Sequence, residues 1–227
     1  YVVVSENLCS RIDENTDIKE AAFTVLGSIA LHGLRLSETT LGSKVVVIGL
    51  GVIGQLVCSL AEAQGSEVTG IDPDPERSKN RDNFFTSAND IELRDVDTVI
   101  ITAATSSNEP IELATKIARN KAKIVVVGDI PLNISRNDFY YKELELVVSK
   151  SYGPGRYDKQ YEALGNDYPI EYVRWTENRN FEAFTKLLSQ KQIHLLDLVS
   201  EEIAFEDAPS VYKKFDNEIK PLSVVLR

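Results

Sequence analysis

The stretch VVVIGLGVIGQ, Val45–Gln55, sets three glycines into an otherwise aliphatic run, and its reading decides the fold. Val45–Ile48 is β-branched and favours an extended strand. The period then changes, because Leu56, Val57, Leu60 and Ala61 share one face of a helix over Gln55–Gln64. Val68–Ile71 is β-like again, which completes a strand–helix–strand unit. Within that unit each glycine has a distinct physical task. Gly49 permits a tight turn, Gly51 lets the backbone approach a pyrophosphate without a Cβ in the way, and Gly54 lets the helix pack closely on the sheet. The helix N-terminus offers unpaired N–H groups and partial positive charge to phosphates. Asp72 ends the next strand, 21 residues beyond Gly51, near the spacing at which a carboxylate accepts hydrogen bonds from an adenosine ribose.

The expected cofactor contacts are therefore Gly49, Leu50, Gly51, Val52, Ile53, Gly54 and Asp72. A carboxylate at Asp72 repels the 2′-phosphate of NADP, and the PDPE that follows is acidic, so NAD is expected over NADP. Arg77 is the basic residue just past that strand that could hold such a phosphate, and it joins the candidates.

Two later runs, DTVIITAA (Asp97–Ala104) and KIVVVGDI (Lys123–Ile130), are continuous aliphatic blocks, as expected of strands covered on both faces by helices. Between them EPIELATKIARN carries Pro110 in a first helical turn and ends at Arg119 and Asn120, which predicts a crossover helix. A short helix near Asn137–Lys142 and a strand over Leu144–Ser149 follow. The sum is an α/β, Rossmann-type doubly wound parallel sheet with helices on both faces. Ligands in such sheets sit beyond the carboxyl ends of the strands, which adds Thr102, Ala103, Ala104, Gly128 and Asp129 near the nicotinamide half. Ala21–Arg35 reads as a helix leading to the first strand, and Tyr1–Val4 as a strand-like run. Tyr152–Asn180 lacks periodicity and reads as a long ordered excursion. A last helix, Phe181–Gln190, then precedes short strand-like pieces and the closing VVLR.

The 227 residues, 43% hydrophobic, suffice for a sizeable core. A net charge of −10 argues against nucleic acid or an anionic membrane as partner and points to small molecules. The two cysteines, Cys9 and Cys58, indicate neither a disulfide framework nor a thiolate metal site, and a cytoplasmic location is expected. No apolar run approaches a bilayer's width. The chain has no methionine and reads as a piece of a longer polypeptide.

The catalytic side is thin. His32 and His194 lie in no arrangement that gives a metal three ligands, so no metal site is expected. No GxSxG, P-loop or Cys/His pairing supports hydrolase or kinase chemistry. The most distinctive segment is SYGPGRYDKQY, Ser151–Tyr161, whose Arg156 and Tyr157 are the candidate substrate contacts at the mouth of a cofactor cleft. The alternative is a rigid Gly-Pro-Gly turn that merely coats the surface.

Taken in order, YVVVSENL, AAFTVLGSIALHGLR, LGSKVVVIGLGVIGQ, VTGIDPDPER, DTVIITAA, KIVVVGDI and LLSQKQIHLLDLVSEEIAFEDAPSVYKKF resemble the zinc-type alcohol dehydrogenase superfamily, the medium-chain dehydrogenases and reductases. SYGPGRYD followed by DYPIEYVRWTENRNFEAF is similar to a bacterial bi-domain oxidoreductase subgroup found in sugar-metabolism settings. The resemblance implies a remnant of a GroES-like catalytic lobe over 1–20, an NAD-binding domain over 21–177 and a return segment over 178–227. It places the family's third zinc ligand near Thr24 or Val25, neither of which is a zinc ligand, so no zinc is expected in this chain. It also implies pairing of Leu144–Ser149 with its twin in a homodimer. The expectation is the NAD(H)-binding part of an oxidoreductase that moves a hydride between a nicotinamide and an alcohol or sugar, with the chain inactive alone. The rivals are a nucleotide-sensing regulatory module and an S-adenosylmethionine-dependent methyltransferase.

Overall fold

The computed structural model describes residues 2–79, 81–215 and 221–227. Six strands, β1 Lys44–Ile48, β2 Glu67–Ile71, β3 Phe84–Phe85, β4 Val96–Ile101, β5 Ala118–Val126 and β6 Glu145–Val148, form one parallel sheet in the order β3-β2-β1-β4-β5-β6. The chain moves outward from β1 to β3 and then returns to place β4 on the other side of β1. That reversal opens a crevice at the carboxyl ends of β1 and β4, the position at which doubly wound sheets bind ligands.

The described helices are α1 Ile18–Ala21, α2 Thr24–Leu36, α3 Val52–Ala63, α4 Pro75–Ser78, α5 Glu109–Ile117, α6 Arg136–Lys142, α7 Lys159–Glu162, α8 Glu177–Ser189 and α9 Ala208–Phe215. Alternation along β1 assigns them to two faces. Val45 and Val47 join a core with Leu31 and Leu34 of α2, Leu56 and Leu60 of α3, and Phe184 and Leu188 of α8. Val46 and Ile48 join a second core with Val99, Ile101, Ile124 and the apolar stripe of α5, Ile111, Ala114 and Ile117. With helices on both faces, alternation of polarity disappears from the central strands, and both sets of side chains are apolar. A short second sheet pairs β7 Glu201–Ile203 with β8 Val224–Leu226 in parallel.

The expected order of elements is observed, with differences at their edges. The helix expected over Ala21–Arg35 is two helices that meet at Ala22 and Phe23. The crossover helix stops at Ile117, and Arg119 and Asn120 belong to β5: Ala118 pairs with Val96, and Arg119 Nε donates to Asp97 Oδ1 at 2.6 Å. Lys142 Nζ donates to the carbonyls of Thr115, Lys116 and Ala118 at 2.7, 3.0 and 2.8 Å, satisfying the oxygens that the end of α5 leaves without partners. β4 and β5 end at Ile101 and Val126, earlier than their aliphatic runs: the β4 exit turns onto the Ile48 and Gly49 carbonyls, and the β5 exit turns onto the Ile101 carbonyl. Val2–Val4 is exposed and lies in no strand, since an apolar run without a neighbouring strand has nothing to bond; Tyr1 lies outside the described residues.

The excursion before α8 is tightly tied. Tyr161 is fully buried and its hydroxyl donates to Thr176 Oγ1 at 3.0 Å, while Arg179 donates to the carbonyls of Val173 and Tyr168 and pairs with Asp167. Helix α8 begins a turn before Phe181, capped by Thr176. Its first turn escapes apolar periodicity because the residues it buries there, Glu177 and Asn180, are polar.

Candidate cofactor site

β1 delivers the chain to Gly49, whose φ of +98° lies in the left-handed region. An added Cβ there would sit 2.5 Å from the Ala103 nitrogen, so glycine is required for conformation and for space. Gly54 is tighter still: its Cβ would lie 1.9 Å from the Gly49 carbonyl oxygen and 2.7 Å from Thr102 Oγ1. Gly51 is the opposite case. A Cβ there would meet only Arg77 Nη1, at 3.8 Å, so the backbone faces open space beside a guanidinium. Gly51 caps α3 with no side-chain hydrogen bond, and the first helical bond runs from Gln55 N–H to the Gly51 carbonyl. The N–H groups of Val52, Ile53 and Gly54 therefore have no intrahelical acceptor and point toward that space, suited to an anion.

Leu50 is fully buried and serves as the loop's anchor; its N–H donates to Asp72 Oδ2 at 2.7 Å. Asp72 Oδ1 accepts from Asp74 N–H at 2.9 Å. Backbone donors thus hold a buried carboxylate at the carboxyl end of β2, and Arg77 closes on it, with Nη1 at 3.4 Å from Asp72 Oδ2 and Nε at 3.3 Å from Asp74 Oδ2.

The exits of β4 and β5 complete the crevice wall. Thr102 Oγ1 donates to the Gly49 carbonyl at 2.6 Å, so its hydroxyl locks the glycine turn, a role the sequence does not reveal because its partner lies 53 residues away. Thr102 and Ala103 N–H both donate to the Ile48 carbonyl, and Thr105 N–H donates to that of Asp129. Gly128 packs against the Ala103 carbonyl, 2.0 Å from where a Cβ would stand. Residues drawn from the ends of β1, β2, β4 and β5 converge on one crevice.

Comparison with known proteins locates this arrangement. The 2-dehydro-3-deoxy-L-galactonate 5-dehydrogenase of Pseudoalteromonas atlantica is 26% identical over 178 residues, covering 72% of this chain and 49% of its own length. The chain thus spans about half of that curated relative. Galactitol-1-phosphate dehydrogenase of Escherichia coli superposes with a TM-score of 0.78 at 21% identity, over 99% of this chain and 65% of that one. The same fold occurs with NADH in a short chain alcohol dehydrogenase of Escherichia coli (TM-score 0.74, 18% identity, 96% of this chain and 61% of that one). It occurs with NADP in a Sinorhizobium meliloti protein (TM-score 0.70, 20% identity, 95% and 60%). The chain shares the fold of these alcohol and sugar dehydrogenases, and its sequence is similar to that of the galactonate dehydrogenase over 178 residues. A family described as "Putative heavy-metal chelation" also matches residues 34–129, the stretch that holds the glycine loop and β1–β5. Among the described residues no three His, Cys, Asp or Glu side chains come together to hold a metal.

Arg156 and Tyr157 make their contacts within their own segment. Arg156 Nη1 pairs with Glu162 Oε1 at 2.8 Å, and its guanidinium lies 5.0 Å from the Tyr152 ring and 4.2 Å from the Tyr157 ring. Tyr157 N–H donates to the same Glu162 oxygen. Asn180 of α8 donates to the Tyr152 carbonyl, and His32 of α2 stands beside Gly153. Burial, reinforced by Arg35, lowers the pKa of His32, which favours the neutral imidazole. His194 is exposed. Cys58 is buried and its thiol pushed well up by burial, while Cys9 is exposed.

Sequence reading missed Glu177. It is 0% exposed, and neither carboxyl oxygen has a hydrogen-bond partner among the described residues; the Arg156 Nε is buried without a partner as well. Burial pushes Glu177 up to about 7, the Glu162 charge acts in the same direction, and Arg156 opposes both. A polar pair directly after a Thr cap was the available signal, and it is indistinguishable from an ordinary exposed first turn.

Proposed function

We propose that the glycine loop and Asp72 bind NAD(H), and that the protein transfers a hydride between the nicotinamide and a CH–OH or carbonyl carbon of a small alcohol or sugar. The observation that carries this reading is the contrast between Gly54, sealed against the Gly49 carbonyl, and Gly51, open to space beside unpartnered helix donors. That contrast is what a pyrophosphate cradle requires. The cofactor, when bound, supplies the hydride chemistry. The chain's own residues do the rest: Val52, Ile53 and Gly54 N–H groups take the phosphates, and Asp72 receives ribose hydroxyls. Thr102, Ala103 and Gly128 shape the wall toward the nicotinamide. Asp72, fixed by two backbone donors, opposes a 2′-phosphate, so NAD is favoured over NADP even with Arg77 near, because that guanidinium is already shared between Asp72 and Asp74. The sugar or alcohol substrate class is supported by the names of the relatives.

Calorimetric titration with NADH and NADPH tests this. The native chain is expected to bind NADH more tightly, to turn over no alcohol alone, and to lose its preference over NADPH in the Asp72→Ala variant by about tenfold or more. Tighter binding of S-adenosylmethionine than of either nicotinamide would overturn the reading, as would a variant with unchanged preference.

We also propose that the protein is a cytoplasmic homodimer joined through β6. The outer edge of β6 has no partner strand among the described residues, and Val148 there and Tyr140 and Tyr141 of α6 are exposed, an apolar edge of the kind that pairs unless covered. Light scattering is expected to give the mass of two chains, falling to one in a Val148→Lys variant. A native monomer would refute the pairing. No described helix is long and apolar enough to cross a membrane.

A further inference from the structure

The chain has a single tryptophan, Trp175, and two arginines lie against it. The Arg35 guanidinium carbon, from the last turn of α2, is 3.3 Å from the ring centroid, and that of Arg174, just before α8, is 3.8 Å away. Stacking of this kind orients a guanidinium while leaving its N–H edge available. Arg35 Nε donates to Asn180 Oδ1 at 3.0 Å, a neutral acceptor. The remaining nitrogens of Arg35 and all those of Arg174 have no acceptor among the described residues, and neither arginine has a carboxylate within ion-pairing distance there. Elsewhere the chain pairs its arginines readily: Arg81 with Glu62, Arg119 with Asp97, Arg156 with Glu162, Arg179 with Asp167.

Acids are not scarce, with 35 Asp and Glu against 25 Lys and Arg. Two cations brought together without one are therefore an electrostatic exception. Its cost is visible at Arg35, whose pKa is lowered to about 10 by burial and by the neighbouring Arg174 charge. Bringing like charges together around a half-buried group is unfavourable unless an anion completes the set.

We propose that Arg35 and Arg174, held against the Trp175 ring, form a binding site for a phosphate group, free or as a monoester. Two guanidiniums match a dianion in charge, and each presents the planar fork that phosphate oxygens accept. A phosphate-bearing polymer is a poor occupant, because the net charge of −10 repels an extended polyanion. The site shares no residue with the glycine loop and does not depend on the cofactor assignment.

As the chain's one tryptophan, Trp175 is a built-in reporter. Emission is followed with excitation at the red edge, to spare tyrosine, while inorganic phosphate replaces chloride at constant ionic strength; glucose 6-phosphate, with glucose as its control, forms a second series. A saturable change is expected with at least one phosphate species, and none with chloride or glucose. Saturation by both assigns the site to phosphate itself, and saturation by the ester alone assigns it to a phosphomonoester. The Arg174→Gln variant, which removes an exposed side chain with no hydrogen bond among the described residues, is expected to keep the native circular dichroism and to shift the midpoint at least about tenfold. A flat titration in both fluorescence and calorimetry overturns the proposal, as does an Arg174→Gln variant that titrates like the native chain.

Discussion

Replacing Glu177 by glutamine is expected to raise the melting temperature at pH 8 and to change it much less at pH 5. The Glu177 carboxyl is fully buried without a hydrogen-bond partner among the described residues, and its pKa rises from 4.5 in the unfolded chain to about 7 in the folded one. An acid whose folded pKa is raised binds its proton more tightly in the native state. Its penalty is therefore absent below pH 4.5, grows as pH rises through the window from 4.5 to about 7, and is constant above it. At about 1.4 kcal/mol per pK unit the full penalty is about 3 kcal/mol. A neutral isostere removes it, which for a chain of this size corresponds to a gain of roughly 6–12 °C at pH 8. At pH 5 the gain is below about 1 kcal/mol. Thermal unfolding of both proteins across that range checks it. A destabilised Glu177→Gln protein at pH 8 would show that the ionised carboxylate is held by Arg156 and contributes stability instead.

The second large effect separates two glycines three residues apart. Gly54→Ala forces a Cβ to within 1.9 Å of the Gly49 carbonyl oxygen, a backbone atom that cannot step aside, so α3 must shift on the sheet. A loss of about 1–3 kcal/mol is expected from such overpacking, together with weaker NADH binding. Gly51→Ala meets only Arg77 Nη1, at 3.8 Å, so its urea midpoint should match the native one while NADH affinity falls about tenfold or more. If Gly51→Ala binds NADH as the native chain does, the open face of the loop is not where the pyrophosphate sits.

How much of this was legible in the sequence follows from where the constraints are local. β1, β2, β4 and β5 are buried on both faces, so their aliphatic runs stand out whatever surrounds them. The glycine loop was legible for the same reason: turn, approach and packing each demand glycine at a fixed offset, and Asp72 falls at the distance one helix and one strand impose. β3 was invisible because it is two residues, Phe84 and Phe85, too short for any period. Val2–Val4 misled in the other direction, since β-propensity describes a residue that fits a sheet and says nothing of whether a sheet is adjacent. The lock of Thr102 on Gly49, the isolation of Glu177 and the convergence of Arg35 and Arg174 on Trp175 depend on contacts between distant parts of the chain, which local pattern does not encode.

The front of the chain has its own dependence on the back. Asn7 donates to the Tyr161 carbonyl, Asn178 to the carbonyls of Glu6 and Cys9, and Leu195 N–H to Glu20, while Lys19 pairs with Glu202, across separations of 154 to 183 residues. None of these bonds can close until the later partner has left the ribosome. The sheet can assemble strand by strand as it is synthesised, but the first twenty or so residues must wait, undocked, until nearly the whole chain shown here has been translated. These residues are thus among the last of the stretch shown to find their place, and until then they stay open to proteases and to other nascent chains.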